Sequence, residues 1–574
     1  MKKVKDIIKN IDKRYIIIFA VTFFIFMPFM SKRFIEGHDY ITHISNLYAM
    51  TESTGLSKIR GVMCNNLGYA NGIFYPPLPY YITFIAYKIL NIVGLSMIST
   101  IKVVEFLVVL LSGIFMYQFT NKVFKNKWTA LVSAIMYITM PYFITDVFIR
   151  MAYAEIFMFL FMPIVMTSIY YILEKDYKKF MIYFIIGYSG MIYSHLVMTL
   201  FFTIGLIIIL LINIKQLLNK ETIISFIIAT VMVLGITAPF TVPMLEHKVK
   251  GEYVVFNDGS MSTVKKITKE KMDIEDYFNE KVLRLDVPTY VNIIVSIFAI
   301  ISIVKSKKLI QDNKQKKWFY GIICFTLFSI LISSKLINWN KMPKILLNIQ
   351  FPWRMCTFIA FGMSIIASLA INNFKGDSKR VAFMIVLIIC LNTSSMVTYK
   401  NKTRSMKPVT YVQASATNNR AMGVQNEYLP VKAKKNIKYI NDKSQNIIVK
   451  SGNAEITDEY SKTPYFSANV KVKENDVAKL ELPRIFYYGY NITLEKEDGT
   501  KEKVNYYEND KGFIEFELKD SGKIIARYTG TILNKVADVV AIVIIGIIAI
   551  YIVVNIWRNE RWKENTFQMK KNKK

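Results

Sequence analysis

Long apolar stretches separated by short lysine-rich ones dominate the chain. They lie near residues 14–30, 78–95, 101–120, 127–144, 153–173, 179–195, 197–214, 222–240, 289–305, 318–334, 353–372, 380–397 and 536–556. A helix needs about 20 apolar residues to cross the hydrocarbon core, so all thirteen are candidate spans. From 398 to 533 the pattern changes to alternation of apolar and polar residues, as in NIIVK, YFSANVKVK, FIEFELK and KIIARY. Asp498-Gly499 and Ser521-Gly522 supply turns. That period of two predicts an antiparallel β domain, of sandwich type.

Charge reduces the number of crossings. Basic residues precede the first stretch (MKKVKDIIKNIDKR) and no small-residue cleavage site follows it, which predicts an uncleaved anchor. Thirteen crossings would place NKVFKNK (121–127) and KSKKLIQDNKQKK (305–317) outside, against the positive-inside rule. Treating 78–95 as interfacial or re-entrant brings the basic loops at 121–127, 174–179, 215–221, 305–317 and 375–380 inside, with both termini. Stretch 78–95 opens with Pro-rich PPLPYY and carries Lys88. The expectation is therefore twelve crossings. The outer segments are then a first loop at 31–100, a short loop at 145–152, a loop at 241–288 and the β domain.

Composition agrees. The 574 residues are 53% hydrophobic and 20% charged, and mean hydropathy is +0.30; this excludes a soluble enzyme and a disordered chain. The net charge of +31 would suggest nucleic acid, but the seven expected cytoplasmic segments hold 30 Lys and Arg against 9 Asp and Glu. Most of the basic excess is thus topology signal and anionic-lipid contact. Three of the four cysteines (Cys324, Cys356, Cys390) lie in apolar stretches. Cys64 is the one thiol expected on an aqueous side, so no disulfide framework exists.

Candidate chemistry gathers at the expected outer face. His38, His43, His195 and His247 fall there, as do Asp39, Asp146, Arg150, Glu155 and Arg354, with Lys102 and Glu105 nearby. The helix centres are nearly free of charge, which argues against an ion-coupled transporter. Asp39 and His43, spaced i, i+4, share one face of a helix. An N-cap role for Asp39 and a simple hydrogen-bonding role for His43 stay open beside a catalytic one. Arg354 beside Trp353 reads equally as an interfacial anchor, and Glu155 as an ion-pair partner of Arg150. No GxGxxG, P-loop, HExxH or CxxC element is convincing.

Several segments in order carry a resemblance: Gly37-His38-Asp39 with His43, GYANGIFYPPLPYY, RMAYAEIF at 150–157, His195, FPWRM at 351–355, EYLP at 427–430 and LPRIFYYGY at 482–490. Together they resemble a family of bacterial polytopic proteins labelled membrane protein, 6-pyruvoyl-tetrahydropterin synthase-related. That family is similar to GT-C glycosyltransferases, YfhO-like membrane proteins among them. The pterin label gains no support, since soluble pterin synthases are compact α/β enzymes with a three-histidine zinc site.

The resemblance implies a GT-C-like helical membrane domain (1–397), an extracytoplasmic β domain (398–533) and a last helix with a basic cytoplasmic tail (534–574), in a bacterial plasma membrane. It implies transfer of a sugar from a polyprenyl-phosphate carrier to an envelope glycan, lipid or protein acceptor. Asp39 then matches the acidic residue of the first outer loop and Glu155 a second catalytic carboxylate. Substrate contacts fall to His38, His43, Tyr75, Arg150, His195 and Arg354. Asp39, His43, Glu155 and His195 form a candidate ligand set for Mg²⁺ or Mn²⁺. The competing readings are a non-catalytic scaffold or glycan-binding protein of the same fold, and a lipid or polysaccharide transporter.

Overall fold

Four of the lysine-rich loops end in an Asn or Asp whose side chain caps the helix that follows; the one at 375–380 lies outside the described residues but for Arg380. Asn126 accepts from the backbone of Trp128 and Thr129, Asp176 from Lys179, Asn219 from Thr222, and Asp312 from Lys314 and Gln315. Caps of this kind fix a helix start to within a residue. A computed structural model of the chain describes residues 12–30, 37, 39–52, 55–257, 263–278, 291–374, 380–389, 392–393 and 426–571.

The helices used below are α1 (Lys13–Phe26), α2 (Tyr40–Glu52), α3 (Leu78–Leu90), α4 (Met97–Phe124), α5 (Lys127–Thr139), α6 (Tyr153–Leu173), α7 (Tyr177–Ser194), α8 (Leu196–Ile212), α9 (Lys220–Lys250), α10 (Ile293–Val304), α11 (Asn313–Ser333), α12 (Cys356–Ser368) and, after the β domain, α13 (Ile532–Lys571). Among the described residues, six helices can cross a membrane by length and composition: Met97–Phe124, Tyr153–Leu173, Lys220–Lys250, Asn313–Ser333, Pro352–Ile371 and Ile532–Tyr551. A seventh arises if Lys127–Thr139 and Pro141–Arg150, bent by 44°, form one span. Twelve were expected. Others correspond to shorter helices such as α1 (14 residues), α8 (17) and α10 (12), and the expected span at 380–397 lies partly outside the described residues. Their regular geometry is cut short by local breaks, at Pro28 after α1 and at the extended His195 between α7 and α8.

Two boundaries differ from expectation. Helix α9 continues through Pro239 and Pro243 to Lys250, so the expected loop at 241–288 begins about three turns later. Prolines are tolerated in membrane helices because neighbouring groups supply donors near the break; Tyr193 Oη donates to the Ile236 carbonyl, three residues before Pro239, at 2.6 Å. Cys64 is 1% exposed rather than open to water, while Cys324 lies on an exposed face of α11.

The lysine-rich loops at 121–127, 174–179, 215–221 and 305–317 meet at one end of the helical bundle. Lys314 bonds Glu174 at 2.8 Å, Asp312 lies within electrostatic range of Lys125, and Tyr177 donates to Asn219 at 3.3 Å. The β domain packs at the other end. Its strands form two antiparallel sheets, one ordered β1 (Ile448–Ser451), β4 (Ala478–Ile485), β8 (Phe513–Leu518), β7 (Tyr506–Glu508). The other runs β2 (Ala454–Lys462), β3 (Tyr465–Val472), β9 (Gly522–Tyr528), β5 (Tyr490–Glu495), β6 (Lys501–Lys503). Apolar residues of both sheets form one core, as alternation predicts. Phe486, Tyr487 and Tyr490 of the IFYYGY segment are buried in it, so they serve as core. The core also takes in Ile59, Met63, Cys64, Leu67, Tyr69, Ile73 and Phe74 of the first loop. That loop is therefore a strut joining β domain and bundle, not a free excursion.

Candidate active site at the β-domain end of the bundle

The site is built where the chain turns sharply between α5 and α6. Pro141 opens a new helical turn, Thr145–Arg150 widens into a π-type turn, and Met151 adopts a left-handed conformation (φ 53°). The widened turn points Asp146 and Arg150 inward, and both are buried. Gly37 lies against this turn so closely that a Cβ would sit 3.0 Å from the carbonyl oxygens of Ile149 and Arg150. Any side chain there would need the turn to give way slightly. The contact lets the Asp39 amide donate to the Arg150 carbonyl at 2.9 Å and fixes the start of α2 beside the turn.

Arg150 is the hub. One terminal nitrogen donates to Asp146 Oδ1 at 2.6 Å, to Glu155 Oε2 at 3.0 Å and to the Tyr142 hydroxyl at 3.2 Å. The other donates to Asp39 Oδ2 at 3.4 Å. The guanidinium also lies 4.7 Å from the centre of the Trp353 ring. Glu155 accepts from Tyr142 at 2.9 Å and Thr357 at 3.2 Å. Arg354 approaches it from the other side, Nε to Oε2 at 3.7 Å, while donating to Gln350 at 2.8 Å. The side chains of Arg150, Asp146 and Glu155 are 4%, 0% and 2% exposed; that of Asp39 is 40% exposed. Asp39 is thus the one carboxylate of the cluster that solvent reaches freely.

An aromatic wall stands beside Asp39. His43, one turn along α2, accepts or donates at Nδ1 to the Tyr80 hydroxyl at 2.6 Å and packs against Tyr75, Tyr80 and Tyr153. Burial holds the His43 imidazole at about 4, so it is neutral at pH 7; the Asp39 carboxylate pulls the other way, and the Arg150 charge adds a smaller push downward. Tyr75 lies within electrostatic range of Asp39, Arg354, Glu155 and Arg150, and burial raises its phenol well above the usual range. Its ring also meets Tyr428 of the β domain, 6.4 Å away. His195 accepts from the Met198 amide at 3.3 Å, capping α8, and lies within electrostatic range of Arg354, Glu155 and Arg150.

Asp39, His43, Tyr75, Arg150, Glu155, His195 and Arg354 therefore converge, whereas His38 lies outside the described residues and His247 packs elsewhere, against Phe74 and Tyr253. The N-cap reading of Asp39 loses ground, because among the described residues its carboxylate bonds Arg150 and no amide of α2. Arg354 and Trp353 are not interfacial anchors, since Trp353 is 2% exposed and stacks on Arg150. Sequence reading gave no role to Tyr142, Tyr80, Thr357 or Tyr428, whose residue types carry no signal outside the fold. Asp146 was visible as an ionisable residue, four before Arg150.

The candidate ligand set does not fit a divalent cation. Asp39 and Glu155 are each already engaged by a guanidinium, and a metal ion would meet that charge at close range. Among the described residues, no three His, Cys, Asp or Glu side chains are arranged to hold a metal.

Comparison with solved structures returns an oligosaccharyltransferase of Archaeoglobus fulgidus, at 9% identity and TM-score 0.37, covering 76% of this chain and 58% of that one. It also returns the arabinosyltransferase EmbB of Mycobacterium smegmatis, at 7% identity and TM-score 0.32, covering 90% of this chain and 63% of that one. The chain thus spans less than two thirds of the length of either. No curated protein sequence matches it. A family model described as 6-pyruvoyl-tetrahydropterin synthase related domain, membrane protein, matches residues 73–401. That is more than half of the chain, and it takes in the Arg150–Glu155 hub and Arg354, so the protein belongs to this family of membrane proteins.

Proposed function

We propose that the protein is a membrane glycosyltransferase that moves a sugar from a polyprenyl-phosphate donor to an envelope acceptor at the outer face of the bacterial plasma membrane. The observation that carries this reading is Asp39, a partly open carboxylate paired with Arg150 in a cluster that Arg354 joins through Glu155, at the bundle end opposite the lysine-rich loops. In the proposed step, Asp39 takes the proton of an acceptor hydroxyl, whose oxygen bonds the anomeric carbon of the sugar. The bond from that carbon to the donor phosphate oxygen breaks, and polyprenyl phosphate leaves with the electron pair. Arg354, whose buried Nε has no hydrogen-bond acceptor among the described residues, faces the leaving anion. Glu155 holds both guanidinium groups in place, and Tyr75, His43 and His195 line the sugar side. The topology that goes with this reading has twelve crossings, with the lysine-rich end and both termini in the cytoplasm.

A second reading has its own support. Arg150 is already paired with three carboxylates, as in a structural ion cluster, and this favours a scaffold that binds glycan without transferring it. The assay is sugar transfer from polyprenyl-linked donors by purified, detergent-solubilised protein. Asp39→Asn is expected to keep its fold and lose turnover by on the order of 10²–10⁴. Near-normal transfer by this variant removes Asp39 from the mechanism, and no transfer by the wild type with any such donor favours the scaffold.

A further inference from the structure

A second polar site lies on the lipid side of the same end, apart from the Asp39 cluster. The cleft between α1, α4 and the 145–151 turn has a volume of about 40 Å³ and is lined by Phe26, Phe29, Phe148 and Met151 with Lys102 and Glu105. One water needs only ~10–15 Å³ of such space. Glu105 is 6% exposed, and its Oε1 has no hydrogen-bond partner among the described residues. An unpaired buried carboxylate oxygen in a membrane helix is costly and calls for a donor. Lys102, half-buried and nearer the helix start, lies within electrostatic range of Glu105. The i, i+3 spacing places both on one face of α4. Phe148 stacks on Phe29 at 4.1 Å and meets Phe26 edge-on at 4.9 Å.

We propose that this cleft binds the head group of a phospholipid carrying a primary ammonium. Met27, Met30, Val103 and Leu107, near the lining residues along α1, the turn after it and α4, are exposed and apolar, which suits an occupant that enters sideways from the bilayer. An acceptor lies deep and a cation shallow. A head group with an ammonium two carbons from its phosphate matches that order: the ammonium reaches Glu105 among the phenyl rings and the phosphate stays at Lys102. A quaternary ammonium has no N–H for Oε1. A head group with phosphate alone brings negative charge to Glu105.

The test is native mass spectrometry of the full-length protein in detergent, titrated separately with phosphatidylethanolamine, phosphatidylcholine, phosphatidylglycerol and polyprenyl phosphate. Phosphatidylethanolamine should be retained roughly tenfold more tightly than the other three, and Glu105→Gln should abolish that preference. Equal retention of phosphatidylethanolamine and phosphatidylglycerol, preference for polyprenyl phosphate, retention of no lipid, or a Glu105→Gln variant that keeps the preference would each overturn the proposal. Should Glu105→Gln not fold, the wild-type comparison of the ethanolamine and choline lipids decides alone.

Discussion

Arg150 shows how much one side chain organises. Its removal leaves Asp146 and Glu155 as buried carboxylates with no full partner, a loss that typically costs about 3–5 kcal/mol. Arg150→Ala is accordingly expected to lower the melting temperature sharply, and Arg150→Lys by less, since an ammonium keeps the charge but not the planar fork. Asp39→Asn should behave differently. Its ion pair is long and its side chain 40% exposed, so the stability change should stay within about 1 kcal/mol. If Asp39→Asn melts as low as Arg150→Ala, its loss of activity reports misfolding and not chemistry. His43 adds a pH dependence of its own. Burial holds it at about 4 in the folded protein, while the unfolded chain titrates near 6.5. As pH falls from 6.5 to 4 the unfolded state takes up a proton that the native state refuses, so stability declines by on the order of 3 kcal/mol across that window and is full above it. Melting curves of His43→Gln should lack this component; a variant that follows the wild type at every pH would assign the dependence to other groups.

Among the elements, the first loop is the one whose role the fold changed most. Its sequence reads as a turn-rich excursion, yet residues 59–74 fill the core of the β domain. Phe74 stacks on Tyr428 and touches Tyr253, Phe256 and His247, and Tyr75 next to it meets the Asp39 site. Phe74→Ala should therefore cost about 3–5 kcal/mol and raise amide exchange in β4 and β5, strands far from it in sequence. Unchanged exchange in those strands would mean that the β domain folds independently of the loop. Alternation of apolar and polar residues was enough to place strands between 448 and 528, because one face of each strand must be buried whatever its partner. The strand order was not legible, since antiparallel pairing of β4 with β1 and β8, or of β9 with β3 and β5, rests on contacts distant in sequence.

Across the whole chain, charge pattern and fold agree on one point: the loops at 121–127, 174–179, 215–221 and 305–317 lie at the same end. Reporters fused after residues 125 and 312 should both read cytoplasmic, and a reporter within the β domain outer. An outer reading at 125 or 312 would reverse the proposed orientation. Cys64 is no longer a useful probe, because it is buried and burial pushes its thiol well above the usual range. An impermeant thiol reagent should leave it unmodified in the folded protein and label it only after denaturation.

The membrane class, the β character of the C-terminal region and the common end of four lysine-rich loops all follow from local composition, because hydropathy, alternation and charge act residue by residue whatever the partners. The types of most site residues were also visible, since ionisable side chains are rare near apolar spans and stand out there. Their meeting was not. Asp39 and Arg150 are 111 positions apart and Glu155 and Thr357 202, and nothing short of the packed helices brings such pairs within hydrogen-bond reach. Tertiary structure alone decided that Asp39 stays open while Glu155 is enclosed, that Trp353 stacks on Arg150 rather than anchoring at an interface, and that the first loop belongs to the β domain's core. Each of those outcomes depends on which surfaces exclude water together, and exclusion is a property of the assembled chain.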